Sequence, residues 1–100
     1  MSAVRFEAGE LTFEWDSAKA ASNKKKHGVS FEEAATTFLD PLARVFDDPD
    51  FGDDETRFLL VGESAVRRTL LVVHIERDEN LRIVSARLAT KRERARMLEE

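Results

Sequence analysis

The chain has 100 residues, 16 Lys and Arg against 20 Asp and Glu for a formal charge of −4, no cysteine, and 42% hydrophobic residues. That length suits one domain over residues 1–100 and can bury a core without covalent staples. The missing cysteines exclude a disulfide framework and a thiolate metal site, and no apolar run approaches the roughly 18 residues of a membrane helix. With no basic region followed by an apolar core at the amino terminus, the expectation is a cytoplasmic protein with no membrane partner.

The net charge hides an asymmetry. Residues 1–56 hold six Lys and Arg against thirteen Asp and Glu, a balance of −7; residues 57–100 hold ten against seven, a balance of +3. Such polarity can separate an acidic from a basic surface and steer a polyanion to one of them.

Residues 1–10 show no clear period and read as a loosely ordered leader or an irregular first strand. Leu11, Phe13 and Trp15 then alternate with Thr12 and Glu14, the pattern of a half-buried strand. Asp16 is an N-cap for a helix from Ser17, favoured by Ala18, Ala20 and Ala21 and ended by Gly28 at a left-handed position. Its last turn gathers Lys24, Lys25, Lys26 and His27, where the helix dipole favours cations. Ser30 with Glu33 is a capping box for a second helix, with Phe31, Ala34, Ala35 and Phe38 as its apolar face and Pro41 as its stop.

A short strand is predicted over 42–47, followed by an acidic loop over 47–55 that carries five aspartates with Pro49 and Gly52. Three strands at hairpin spacing follow, over 57–63, 68–76 and 81–88, and the almost wholly apolar middle one should be central and covered on both faces. Thr90 with Glu93 is a second capping box, opening a short basic helix with Lys91, Arg92, Arg94 and Arg96. The order β-α-α-β-β-β-β-α predicts an α+β fold, in which two N-terminal helices cover one face of an antiparallel sheet and a short helix closes the chain.

No Gly-rich phosphate loop, HExxH, EF-hand loop or nucleophile elbow is present, and two histidines without cysteine make a zinc site a poor expectation. Neither metal nor cofactor is expected. What remains is a set of cations suited to phosphate: Lys24, Lys25 and Lys26, Arg67 and Arg68 at the start of the central strand, Arg87 late on the next, and Arg92 beyond it. His27 and His74 could exchange protons. Each has a plainer role open to it. Terminal lysines complement the helix dipole, His27 can act as a cap, and His74 can be a satisfied sheet histidine. The helix arginines can be a salt-bridged face, and Trp15 can be a core anchor rather than a stacking platform for a base.

The segments FEWDSAKAASNKKKHGVSFEEA, RFLLVGES, LLVVHIER and IVSARLATKRER, in this order, resemble the BrnT family of bacterial type II toxins from about Phe13 to Arg96. The resemblance implies a RelE-like α+β fold and a metal-independent ribonuclease that inhibits translation. Its implied partners are a ribbon-helix-helix antitoxin of the BrnA kind and, only through that complex, promoter DNA. It implies site roles for Lys26, His27, Arg57, Arg68, His74 and Arg87. Two positions depart from the family pattern: Met97 stands where relatives commonly carry Tyr, and Arg67 where a turn Gly is usual.

Both readings meet on RNA cleaved by its own 2′-hydroxyl, which needs a base, cations at the crowded phosphate and an acid at the leaving oxygen. Lys26, Arg68 and Arg87 are expected to hold the phosphate, His27 or His74 to move protons, and Glu55 to be a weaker base. Lys24, Lys25, Arg57, Arg67 and Arg92 are expected to bind RNA. The competing expectation is a non-catalytic protein-binding module whose basic surface receives an acidic partner segment.

Overall fold

The computed structural model describes residues 3–48 and 57–99. Two strands, β1 (Ala3–Ala8) and β2 (Leu11–Asp16), precede two helices, α1 (Ser17–His27) and α2 (Phe31–Thr36). A 3-10 turn (Thr37–Leu39) leads to β3 (Arg44–Asp47), β4 (Arg57–Glu63), β5 (Thr69–Arg77) and β6 (Asn80–Leu88), and α3 (Lys91–Met97) follows.

The class is α+β, but the sheet is mixed rather than antiparallel. Its order is β1-β2-β6-β5-β4-β3. β2 runs parallel to β6, with Phe13 opposite Leu81 and Glu14 opposite Arg82; the other pairings are antiparallel. A parallel pair needs a long crossover, and here two helices and three strands intervene. The arrangement is favourable because Leu11 and Phe13 then pack beside Leu81 and Ile83 in the principal core.

Of the two expectations for the amino-terminal stretch the strand holds, and residues 3–8 form it with a regular register on β2. Gly9 turns it back on β2 with φ 63°, a conformation that suits glycine. Val4 and Phe6 pack on the core from this edge strand. The two helices therefore follow a hairpin instead of a single strand. The expected β3 start at 42 also shifts, since Leu42 is exposed and the strand begins at Arg44.

Alternation along the strands gives the sheet two apolar sides. Phe13, Trp15, Leu60, Leu70, Val72, Ile83 and Ala86 meet Val29, Phe31, Ala34 and Ala35 in the main core. Phe31 contacts Trp15 edge to face at 5.7 Å, and Phe38 contacts Phe13 likewise at 5.0 Å. Trp15 is thus a core anchor with no free face for a base; burial of such a ring typically contributes about 3–5 kcal/mol. On the other side Val61, Leu71 and Ala89 form a smaller cluster with Phe46, Leu59, Val73 and Met97 of α3. β5 lies inside the sheet, and both clusters draw on it, as its apolar sequence demands.

Candidate functional site

The lysine-rich corner is built by caps. Asp16 Oδ1 accepts from the N–H groups of Ala18 (2.8 Å) and Lys19 (3.4 Å), which fixes where α1 starts. Gly28, at φ 71°, ends it and donates its N–H to the Lys24 carbonyl at 2.8 Å. Lys24, Lys25, Lys26 and His27 therefore fill one helical turn, with the three lysines exposed and His27 half-buried.

Asn23 docks this corner on the sheet. Its amide donates to the carbonyls of Val29 (3.0 Å) and Ala86 (2.8 Å), and its oxygen accepts from the Ala86 N–H at 3.1 Å. β2 pairs with β6 only at residues 81 and 82, so the Asn23 amide serves Ala86 as a neighbouring strand would. Between α1 and this edge lies an open hollow of about 220 Å3, lined by Lys19, Ser22, Asn23, Lys26, His27, Val84 and Ser85.

Arg68 meets the corner from the β4–β5 turn. Its Nη2 donates to the Gly28 carbonyl at 3.1 Å, and its Nε donates to Glu33 Oε2 at 2.9 Å, with a second contact from Nη2 to Glu33 Oε1. Ser64 Oγ also donates to Glu33, at 2.7 Å. The Arg68 guanidinium, ahead of Ser64, holds the Glu33 carboxyl below its ordinary value, and Glu33 in return raises Arg68.

Arg87 is held by a different carboxylate. It lies opposite Leu71, on the side of the sheet that α3 partly covers. Its Nη1 and Nη2 donate to Glu93 Oε1 and Oε2 at 2.9 and 2.8 Å, and Nη1 also reaches the Leu88 carbonyl at 3.2 Å. Arg87, with help from the Thr90 backbone, pulls the Glu93 carboxyl down, and Glu93 raises Arg87. Ser85 stands two residues before Arg87 on the same side of β6, about 7 Å away along the strand.

The expected site residues do not all converge. Lys26 and His27 share the hollow, Arg68 touches the glycine that follows them, and Arg87 follows Ser85 without lining the hollow. His74 lies six residues further along β5 than Arg68, roughly 20 Å away. It is buried between Phe38 (4.8 Å) and Phe58 (5.6 Å), and burial pushes its pKa down to about 4, leaving it neutral near pH 7. Arg57 stands opposite Ile75, toward that same far end of β5. Arg67 is exposed with φ 70° and pairs with Glu63 at 3.2 Å, and Arg92 is exposed on α3. Glu55 and most of the acidic loop fall outside the described residues. The groups missed in the sequence are Asn23, Glu33, Ser85 and Glu93. Both glutamates stand three residues after a Ser or Thr cap, where capping alone explained them.

The class is thus a small α+β domain that presents a lysine corner and two carboxylate-anchored arginines toward one end of its sheet. The family described as "Ribonuclease toxin, BrnT, of type II toxin-antitoxin system" matches residues 15–93. The chain belongs to this family. Its fold is similar to that of the Brucella abortus ribonuclease toxin BrnT, known from a crystal structure. The TM-score is 0.59 and the identity 26%, over 77% of this chain and 94% of that one. Comparison with curated protein sequences gives no match. Among the described residues, no helix is long and apolar enough to cross a membrane.

Proposed function

We propose that this chain is the toxin of a type II pair and cleaves RNA by a metal-independent, RelE-like route, inhibiting translation. The substrate's 2′-hydroxyl attacks the adjacent phosphorus, the bond to the leaving 5′ oxygen breaks, and a 2′,3′-cyclic phosphate results. The observation that carries this reading is the hollow lined by Lys26, His27 and Ser85, with Arg68 donating to the Gly28 carbonyl beside it.

Lys26 is the cation for the phosphate oxygens, and His27 is the proton-exchanging group. His27 is preferred to His74 because it borders the hollow, whereas His74 is buried and neutral. Arg68 and Arg87 add positive potential on either side, each steadied by a glutamate. Lys24, Lys25 and Arg92 extend the cationic surface for flanking phosphates. Losing one stabiliser of this type costs about 2.7–4 kcal/mol, or 10²–10³ in rate. The partners are RNA and a BrnA-like ribbon-helix-helix antitoxin, with promoter DNA bound only through that complex.

The test is cleavage of RNA by the purified chain in EDTA, with ribosomes present, alongside growth arrest on expression. Lys26→Ala, His27→Ala and Arg87→Ala are each expected to lose at least 10²-fold. Activity within threefold of the parent in all three would remove the site. RNA left intact by the parent chain would favour the non-catalytic module.

A further inference from the structure

A hollow with an acidic rim lies away from the basic corner. It has a volume of about 400 Å3 and is lined by Leu11, Phe38, Val45, His74, Glu76, Asp78, Glu79, Asn80 and Leu81. The 3-10 turn stops at Leu39, so apolar surface beyond it stays open, and Val45 is 54% exposed there. Three carboxylates rim this surface. Arg77 lies among them in sequence, but strand alternation sends it to the opposite side from His74 and Glu76. Arg82, the next cation on β6, is occupied by Glu14 at 3.0 Å.

The His74 imidazole forms part of the wall and is 3% exposed. Burial keeps it neutral near pH 7, so it adds no cation to the acidic rim.

We infer that this hollow is a docking site for the antitoxin and receives an arginine side chain flanked by apolar residues from a segment of that protein. The inference rests on the toxin reading, since that reading supplies the protein partner. Charge complementarity selects the occupant. An RNA strand would bring phosphates against Glu76, Asp78 and Glu79, whereas a guanidinium offers donors to carboxylates and a flat face to Phe38. The volume exceeds one side chain and leaves room for apolar neighbours against Leu11, Val45 and Leu81. The antitoxin would thus hold the toxin at its acidic hollow while the basic corner stays a separate surface.

The probe is the purified product of the adjacent reading frame that relieves growth arrest, titrated onto the whole chain by calorimetry. In the double variant Glu76→Lys with Glu79→Lys, Kd is expected to weaken at least tenfold, with antitoxin-free RNA cleavage within twofold of the parent. Val45→Lys, on an exposed edge strand, should give the same loss independently. One Arg→Glu change in the antitoxin should weaken binding to the parent and regain it with the double variant. A Kd within twofold of the parent in both variants overturns the inference. So does a loss of RNA cleavage at unchanged Kd, which assigns the hollow to RNA, or a parent dimer that the variants dissociate. If the parent chain binds no such product, the toxin reading fails first and the inference with it.

Discussion

Arg87 and Glu93 meet as two forks, with both guanidinium nitrogens within 2.9 Å of separate carboxylate oxygens. Glu93 Oε1 also accepts the Thr90 N–H at 2.8 Å, while Thr90 Oγ1 accepts from the Glu93 N–H at 3.1 Å. One side chain therefore caps α3 and orients the arginine that follows Ser85. The start of the last helix and the proposed phosphate site are built from the same carboxylate.

Glu93→Gln should accordingly disturb both. Loss of the charged partner and weakening of the cap are expected to cost about 1–2 kcal/mol, read as a lower urea midpoint at pH 7. Glu93 is held below its ordinary 4.5 in the folded chain, so its contribution is present above that pH and fades as pH falls below it. The stability difference between parent and Glu93→Gln should shrink in step. A difference that stays constant down to pH 3 would separate Glu93 from the titration.

His74 titrates in a higher window. Its folded value of about 4 lies under the ordinary 6.5, so below pH 6.5 the unfolded chain takes up a proton that the folded chain refuses. Stability present above 6.5 is then lost as pH falls, up to about 3 kcal/mol by pH 4. His74→Phe, whose ring keeps company with Phe38 and Phe58, should flatten this slope between pH 6.5 and 4.5. Denaturation midpoints of the two chains at three pH values check it, and parallel slopes would refute it.

Asn23 joins three chain segments through one buried amide. Asn23→Ala strands the Val29 and Ala86 carbonyls and the Ala86 N–H, and it is expected to cost about 2–4 kcal/mol. Because Asn23 lines the hollow with Lys26 and His27, RNA cleavage should fall with it, even at temperatures where the variant is fully folded. Hydrogen exchange at Ala86 is the local reading: its protection should drop more than that of Val72.

The helix caps, the glycine corner and the three late strands were legible because local chemistry sets them. Asp16, Ser30 and Thr90 act within three residues of themselves, and Gly28 needs no partner to end a helix. β1 was legible only as one of two alternatives, because it is an edge strand whose apolar side chains are only half-buried and its pattern is correspondingly weak. The parallel β2–β6 contact rests on pairs such as Phe13 with Leu81, which no local signal announces. The same holds for Arg68 and Glu33, 35 residues apart. The cations of the corner are legible in the sequence, whereas Glu33 and Glu93 read there as caps, and no local signal separates His74 from the residues at the other end of its strand.

Arg67 offers a test in the opposite direction, a change that should stabilise. Its φ of 70° is a left-handed conformation that costs a residue with a Cβ about 1–2 kcal/mol. The left-handed turn geometry favours glycine at this position. Arg67→Gly relieves the strain but frees the unfolded chain, which returns roughly 0.4–1 kcal/mol. It also removes the Glu63 pair, whose arginine is 84% exposed and contributes little. The expected net gain is about 0.5–1 kcal/mol, seen as a higher urea midpoint at unchanged slope. Arg67→Ala keeps the Cβ and should gain nothing, so the two variants together separate backbone strain from loss of the side chain.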